Sequence, residues 1–410
     1  MEHFYAMIMA GGGGTRLWPM SRQDMPKQML PLVDETSMFK TSVDRLAPLF
    51  SPERIYVVTG RKYLYTLRQQ APEIPEQNFI IEPYGRDSGP AAALGISVIQ
   101  ARDPQATVAI LTADHHITKK AAFRDALSAA YYMAQKGHIL TLGITPTFPS
   151  TGFGYIWQGD ALETVGDFKC YVSRGFKEKP DAAKAAQFLD SGEYTWNSGM
   201  FISKASQAMS EFQRQQPEMY AQFVEIGKAV DTPEFETKLE SIWDNVRKIS
   251  LDYAVMEGAE NVAVIPVDIG WSDVGSWSSL YDVLKLDKNG NAFKGRQPDR
   301  VVMDTHETLV YSDKLVVTIG SLAQRLCRRV QELVGQTVRK LLEHAQRLFA
   351  ACDEFHRMLE LVPPRTLAAI TQRPDQRHAA ARRQPAQENI DALGDDGFGA
   401  EHGRLTRFQA

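Results

Sequence analysis

Ala10-Gly-Gly-Gly-Gly-Thr-Arg-Leu-Trp-Pro-Met-Ser-Arg-Gln-Asp-Met-Pro-Lys-Gln-Met-Leu-Pro31 follows directly on a strand-like apolar run, Phe4–Met9. Successive glycines carry no Cβ, so backbone N–H groups can wrap phosphate oxygens and reach φ > 0. Arg16, Arg22 and Lys27 add three cations to the same loop. Strand, glycines and cations in that order predict a polyphosphate ligand at the end of a buried strand. Two commoner phosphate loops are excluded by spacing. A Walker-type loop begun at Gly11 needs its second glycine where Arg16 stands. The dinucleotide fingerprint, taken from Gly12 and Gly14, needs a glycine where Leu17 stands.

Outward from the loop, short apolar runs alternate with helical patterns, as in α/β architecture. Expected strands are Phe4–Met9, Ile55–Thr59, Phe79–Ile81, Val108–Thr112 and Ile139–Gly143, with helices over Met38–Leu49 and Ala91–Gln100. Runs apolar throughout suit strands of a mostly parallel sheet covered on both faces, whose ligands sit beyond the carboxyl ends of the strands. Between residues 286 and 320, Val301–Met303, Thr308–Tyr311 and Leu315–Ile319 read as rungs of a small β structure. From Ser321 the last ninety residues hold thirteen Arg and one Lys. A helix from Leu322 to about Leu348, then a disordered tail after Pro363-Pro364, is expected there. That composition matches out-of-frame translation of GC-rich DNA, which the gene's DNA decides.

The 410 residues are enough for two or three domains, and 43% hydrophobic with 23% charged residues is ordinary for a globular chain. A net charge of −4 excludes bulk attraction to nucleic acid, so anion binding must be local. Cys170, Cys327 and Cys352 form neither a disulfide framework nor a zinc pattern. The N-terminus has no signal-peptide pattern, and the uncharged apolar stretch Ser88–Ala101 is too short to span a bilayer. A cytoplasmic protein without membrane association is expected.

Asp114 ends the run Val108–Thr112, where a carboxylate can hold a metal ion on the ligand side of the sheet. Magnesium takes one or two carboxylates plus substrate phosphates, so a second acid is expected, and Asp273 after the run Val262–Val267 is the candidate. An aspartate there could equally cap a helix starting near Ser276. His115 and His116 lack the partner spacing of a transition-metal site. Glu82-Pro-Tyr-Gly-Arg-Asp-Ser-Gly-Pro90 offers small residues against which a flat base or sugar can lie, or simply a capped helix start. Glu178 between two lysines, in Gly175–Pro180, suits sugar hydroxyls plus a phosphate. Asn197, in Trp196–Phe201, offers a two-sided hydrogen-bonding side chain beside a glycine.

Together these segments resemble the bacterial mannose-1-phosphate guanylyltransferases (GDP-mannose pyrophosphorylases) of the sugar nucleotidyltransferase family, over about residues 5–320. Gly-Gly-x-Gly-Thr-Arg-Leu-x-Pro is shared by the wider family; Trp18-Pro19-x-Ser21-Arg22 and Pro26-Lys27-Gln28 are more specific to the mannose branch. The resemblance implies a Rossmann-like, mostly parallel mixed sheet in a catalytic domain over 1–285. A short, truncated left-handed β-helix over 286–320 and the atypical tail over 321–410 would follow. It implies that Gly11, Gly12, Gly13, Gly14, Thr15, Arg16, Arg22, Gly85, Ser88 and Gly89 hold GTP, with Arg16, Lys27 and Asp114 catalytic. Asp114 and Asp273 would hold Mg²⁺, Gly154, Tyr155, Glu178 and Asn197 would face the sugar, and Lys179 would reach its phosphate. The implied reaction is in-line attack of mannose 1-phosphate on the α-phosphorus of GTP, serving polysaccharide biosynthesis. Another NTP and sugar phosphate, or a non-catalytic paralogue, are the competing readings. Arg86 is followed by Asp87-Ser88-Gly89-Pro90, where the family form is Asn-Thr-Ala-Pro. No cupin-like histidine pattern points to isomerase activity, and the resemblance leaves a homodimer open.

Overall fold

The computed structural model describes residues 1–295, 300–312 and 316–319. Two units divide the chain, Met1–Leu286 and Asp287–Ala410. In the first, the strands are β1 (Phe4–Met9), β2 (Ile55–Gly60), β3 (Phe79–Glu82), β4 (Thr107–Thr112), β5 (His116–Ile117) and β6 (Ile139–Ile144). They are followed by β7 (Tyr155–Val165), β8 (Phe168–Lys177), β9 (Tyr194–Lys204), β10 (Val262–Val267) and β11 (Trp271–Ser272). The helices are α1 (Met38–Asp44), α2 (Leu64–Gln70), α3 (Ser88–Arg102), α4 (Lys120–Gln135) and α5 (Ala182–Ser191). After them come α6 (Ala205–Gln215), α7 (Pro217–Lys228), α8 (Phe235–Trp243), α9 (Leu251–Ala254) and α10 (Trp277–Val283).

Nine strands form one sheet in the order β3-β2-β1-β4-β9-β6-β10-β8-β7. The pairs β2–β3, β1–β2, β1–β4 and β6–β10 are parallel, while β9 runs antiparallel between β4 and β6. The mixed, largely parallel α/β sheet is the architecture expected from the alternating runs. Burial on both faces explains why β1, β2 and β4 read as apolar throughout. Ala6 and Ile8 pack with Phe39 and Phe123 on one face, and Met7 packs with Ile96 and Phe223 on the other. Each fully buried Val, Ile or Leu contributes about 1.5–3 kcal/mol. The apolar stretch Ser88–Ala101 is α3, buried from Gly89 to Ile99 against β2, α6 and α7. Among the described residues no helix is long and apolar enough to cross a membrane.

The expected helix over Met38–Leu49 is shorter, ending at Asp44. Pro48 lacks the N–H to continue it, so the chain turns there. In the second unit, β12 (Ala292–Lys294) pairs in parallel with β14 (Leu309–Tyr311), and β13 (Arg300–Met303) pairs in parallel with β15 (Val316–Ile319). The strand β12 was not expected from the sequence. The helix and tail expected beyond Ser321, with Cys327 and Cys352, lie outside the described residues; Cys170 is free and buried.

Candidate active site

Parallel pairing places the ends of β1 and β4 side by side, with Met9 opposite Thr112. The glycine loop and Ala113-Asp114 therefore leave the sheet together, tied by Ala113 N–H to the Met9 carbonyl at 3.3 Å. Within the loop, Gly12 and Gly14 have φ of 88° and 41°, in the left-handed region that side chains disfavour. The buried Gln28 amide donates to the carbonyls of Ala10, Gly11 and Gly12 at 3.2–3.4 Å, fixing the loop from behind.

Asp273 arrives from far along the chain because β11 pairs antiparallel with β5, setting Ser272 opposite His116. The helix-cap alternative is excluded: Ser276 itself caps α10, and Asp273 Oδ1 accepts from Gly275 N–H at 3.1 Å. The Lys27 ammonium joins the two acids. Its Nζ lies 2.9 Å from Asp114 Oδ2 and donates to the Asp273 carbonyl at 2.6 Å. Arg16, Gly14, Lys27, Asp114 and Asp273 line one cavity of about 170 Å³. Burial, the largest single influence, raises the Asp114 carboxyl, but the charge and hydrogen bond of Lys27, with smaller contributions from His115 and the backbone, together hold the group below its usual range. His115 is pushed down to about 3 by burial, with Lys27 and Arg45 adding to the shift. Its neutral ring accepts from Trp271 Nε1–H at 3.1 Å, so it is a packed imidazole.

Beneath this site, α1 grips the β4–β5 connection. Ser42 Oγ donates to the Ala113 carbonyl at 3.1 Å, and the guanidinium of Arg45, 1% exposed, donates to the carbonyls of Thr112 and His115. Three carbonyls around Asp114 are thereby held from one short helix.

A second cavity, of about 470 Å³, opens beside the glycine loop and contains Gly11, Gly12, Gly85 and Ser88 with Glu82 and Lys248. Glu82 is 5% exposed, and burial alone pushes its carboxyl up to about 7. Asp87 caps α3 at φ 73° and ψ 179°, a strained conformation outside glycine. The rim is stitched to the segment before α9, with Gly89 N–H donating to the Ile249 carbonyl at 3.0 Å.

The sugar candidates gather on β9 and the turn after β8. Asn197 N–H donates to the Gly154 carbonyl at 2.7 Å, Asn197 Oδ1 accepts from Gly199 N–H, and Asn197 Nδ2 donates to Asp252 Oδ1 at 2.9 Å. A Cβ on Gly154 would stand 2.6 Å from Glu178 Oε2, so only glycine lets that carboxylate lie there. Burial raises the Asp252 carboxyl, the Asn197 bond opposes this, and the charge of Glu178 adds to the rise. Ring contacts from His115 through Trp271 and Phe153 to Trp196, each 5.0–5.3 Å between centroids, connect this cluster to the Lys27 site.

The pattern of the family described as Nucleotidyl transferase matches residues 5–290. The chain belongs to the nucleotidyl transferase family. Xanthan biosynthesis protein XanB of Xanthomonas campestris pv. campestris is 38% identical over 323 residues, covering 78% of this chain and 67% of that protein. Mannose-1-phosphate guanylyltransferase 2 of Escherichia coli O157:H7 is 34% identical over 352 residues, covering 84% and 72%. The crystal structure of a mannose-1-phosphate geranyltransferase from Thermus thermophilus superposes with a TM-score of 0.70 at 32% identity, over 82% of this chain and 99% of that one. The family expected from the motifs is thus the family found.

Within this nucleotidyl transferase, not every expected residue faces a cavity. Tyr155, expected at the sugar, is a correction: it is 0% exposed, its hydroxyl donates to the Ser150 carbonyl, and it packs on Phe188. Alternation along β7 turns it into the core while Gly154, one residue earlier, meets Glu178. Gly89 uses its N–H on Ile249 and lies against that segment. Arg22 donates to the Pro19 carbonyl on an exposed turn, and Gly13 and Thr15 are exposed. Lys179 pairs with Glu178 at 2.5 Å. Residues missed by sequence reasoning are Arg45, Lys248 and Asp252; Glu82 stood out only as the start of a segment. A lone Arg inside an apolar helix pattern was the one local signal for Arg45.

Proposed function

We propose that this chain transfers a guanylyl group from GTP to mannose 1-phosphate, giving GDP-mannose and pyrophosphate. The observation that carries the chemistry is the Lys27 ammonium, held between Asp114 and Asp273 at the mouth of the glycine loop. The substrates follow from relatives named for that activity. A phosphate oxygen of the sugar phosphate attacks the α-phosphorus. The bond to the bridging oxygen of the β-phosphate breaks, and pyrophosphate leaves with its electron pair. The nucleophile is anionic near neutral pH, so no enzyme base is required. Arg16, Lys27 and the glycine-loop amides position the triphosphate and neutralise charge developing on its oxygens. Glu178, Asn197 and Asp252 accept from and orient the sugar hydroxyls.

Two carboxylates converging on one cavity are hard oxygen donors with room for phosphate oxygens, which fits a divalent ion of the magnesium kind. Among the described residues no group of three or more His, Cys, Asp or Glu gathers here or elsewhere, so the two carboxylates would share the ion with substrate phosphates. Asp114 and Asp273 would hold it, and it would supply further charge neutralisation at the phosphates.

Glu82 supports guanine as the base. Its two oxygens match two adjacent donors, N1–H and N2–H₂, that guanine alone presents. Parallel rungs seventeen and sixteen residues apart, Ala292 to Leu309 and Arg300 to Val316, support reading 286–320 as the opening of a β-helix after a catalytic domain. On this reading the enzyme works in the cytoplasm, and that region is where a homodimer would form.

The test is product analysis with purified full chain, GTP, mannose 1-phosphate and Mg²⁺. GDP-mannose and pyrophosphate are expected in equal amounts; their absence, with product from another NTP and sugar phosphate, overturns the reading. The same assay checks Glu82. Below about pH 7 its carboxyl is protonated and loses an acceptor, so KM for GTP rises as pH falls while KM for mannose 1-phosphate does not follow. The folded group binds its proton more tightly than the unfolded one, so folding stability falls as pH rises between about 4.5 and 7. Glu82→Gln therefore weakens GTP binding yet raises Tm at pH 8, by at most about 3 kcal/mol of stability.

A further inference from the structure

The nucleotide cavity contains two opposite charges that do not meet. Glu82 and Lys248 both line it, yet no ion pair within 4.0 Å joins them. Among the described residues neither side chain has a hydrogen-bonding partner. Lys248 is nonetheless anchored: Ile249 beside it donates to the Arg86 carbonyl at 3.4 Å and accepts from Gly89 N–H. Leu251 N–H donates to Ser88 Oγ at 2.9 Å. The backbone that carries the exposed Lys248 side chain is thus tied to the same loop that forms the cavity rim. The remaining charged group there, Asp87, is engaged by Ser88 N–H at 2.9 Å.

A carboxylate and an ammonium that share a cavity without pairing are complementary to a ligand with one donor edge and one acceptor edge. Guanine sets two adjacent donors, N1–H and N2–H₂, beside two adjacent acceptors, O6 and N7. Uracil offers one donor between two acceptors. Adenine and cytosine each place a ring acceptor beside their amino group, where it would face a carboxylate oxygen.

Resting on the reading of GTP as substrate, we propose that Lys248 donates to the O6/N7 edge of guanine while Glu82 accepts from its N1–H/N2–H₂ edge. Lys248 is then a specificity-determining residue. It rewards guanine, and with Glu82 it sets a like charge or lone pair against the other bases.

The test compares kcat/KM of the wild-type chain, Lys248→Met and Lys248→Arg on GTP, 7-deaza-GTP, 6-thio-GTP and ITP. The wild-type chain should lose about tenfold on the 7-deaza and 6-thio analogues, the loss of one charge-assisted contact. Lys248→Met should lose about tenfold on GTP and nothing further on those analogues, while Lys248→Arg, with a fork that fits O6 and N7, retains activity. The penalty for ITP, which lacks the amino group facing Glu82, should be equal in all three chains. The proposal is overturned if the analogue penalties persist in Lys248→Met, as a phosphate contact would give, or if its GTP activity stays within about twofold of wild type. A wild-type chain that makes no GDP-mannose from GTP overturns the functional reading instead.

Discussion

Lys27→Met is expected to lower kcat at least about a hundredfold, a loss of about 2.7 kcal/mol of transition-state stabilisation. The side chain is 11% exposed and placed by two bonds, to Asp114 Oδ2 and the Asp273 carbonyl. Its charge is therefore preorganised where negative charge grows on the phosphates, in a pocket where water screens it little. Removing it also leaves Asp114 without the cation that holds its carboxyl down. Lys27→Arg should not restore the rate, because a planar fork does not replace a compact ammonium between two close oxygens. Steady-state pyrophosphate release, with circular dichroism to confirm folding, measures the effect. A purified, folded Lys27→Met chain with near-normal kcat would remove the residue from the chemistry.

Arg45→Ala is expected to destabilise the first unit by about 3–5 kcal/mol, combining orphaned acceptors and a cavity. Burial pushes the guanidinium down to about 10, so it remains charged at neutral pH. It donates to the carbonyls of His115 at 2.6 Å and Thr112 at 3.3 Å, and to Ser42 Oγ at 2.9 Å. Without it, two carbonyls beside Asp114 lose their donors inside the protein. Thermal unfolding should shift down by about 10 °C or more for a unit of this size. At temperatures well below the transition kcat should also fall, since the backbone carrying Asp114 loosens. An unchanged Tm would show that the carbonyls find other donors.

Much of the site was readable because its signals are local. Phe4–Met9 and the four glycines state in order that a buried strand ends in a phosphate cradle, and Asp114 after Val108–Thr112 repeats the pattern. Both strands appear within one residue of the expected bounds. Tyr155 was misplaced because the face a residue takes depends on how its strand is paired, and β7 shifts register against β8 just beyond it, between Trp157 and Gln158. Glu82 and Lys248 carry no mutual signal, since their segments, far apart in the chain, meet through tertiary hydrogen bonds such as Ile249 N–H to the Arg86 carbonyl and Leu251 N–H to Ser88 Oγ.

The sequence by itself determined the fold class, the ligand's phosphate character, the family and the acid at the end of β4. Hydrophobic period and glycine spacing are properties of short windows of chain, and these segments keep them in any context. Only the tertiary structure decided that Asp273 stands beside Asp114, that Lys27 joins them, and that Arg45 holds the turn beneath. Those meetings depend on strand order and on the β5–β11 ladder, which join segments up to 246 residues apart. Distance along the chain does not encode which strand ends become neighbours; the packing of both sheet faces does.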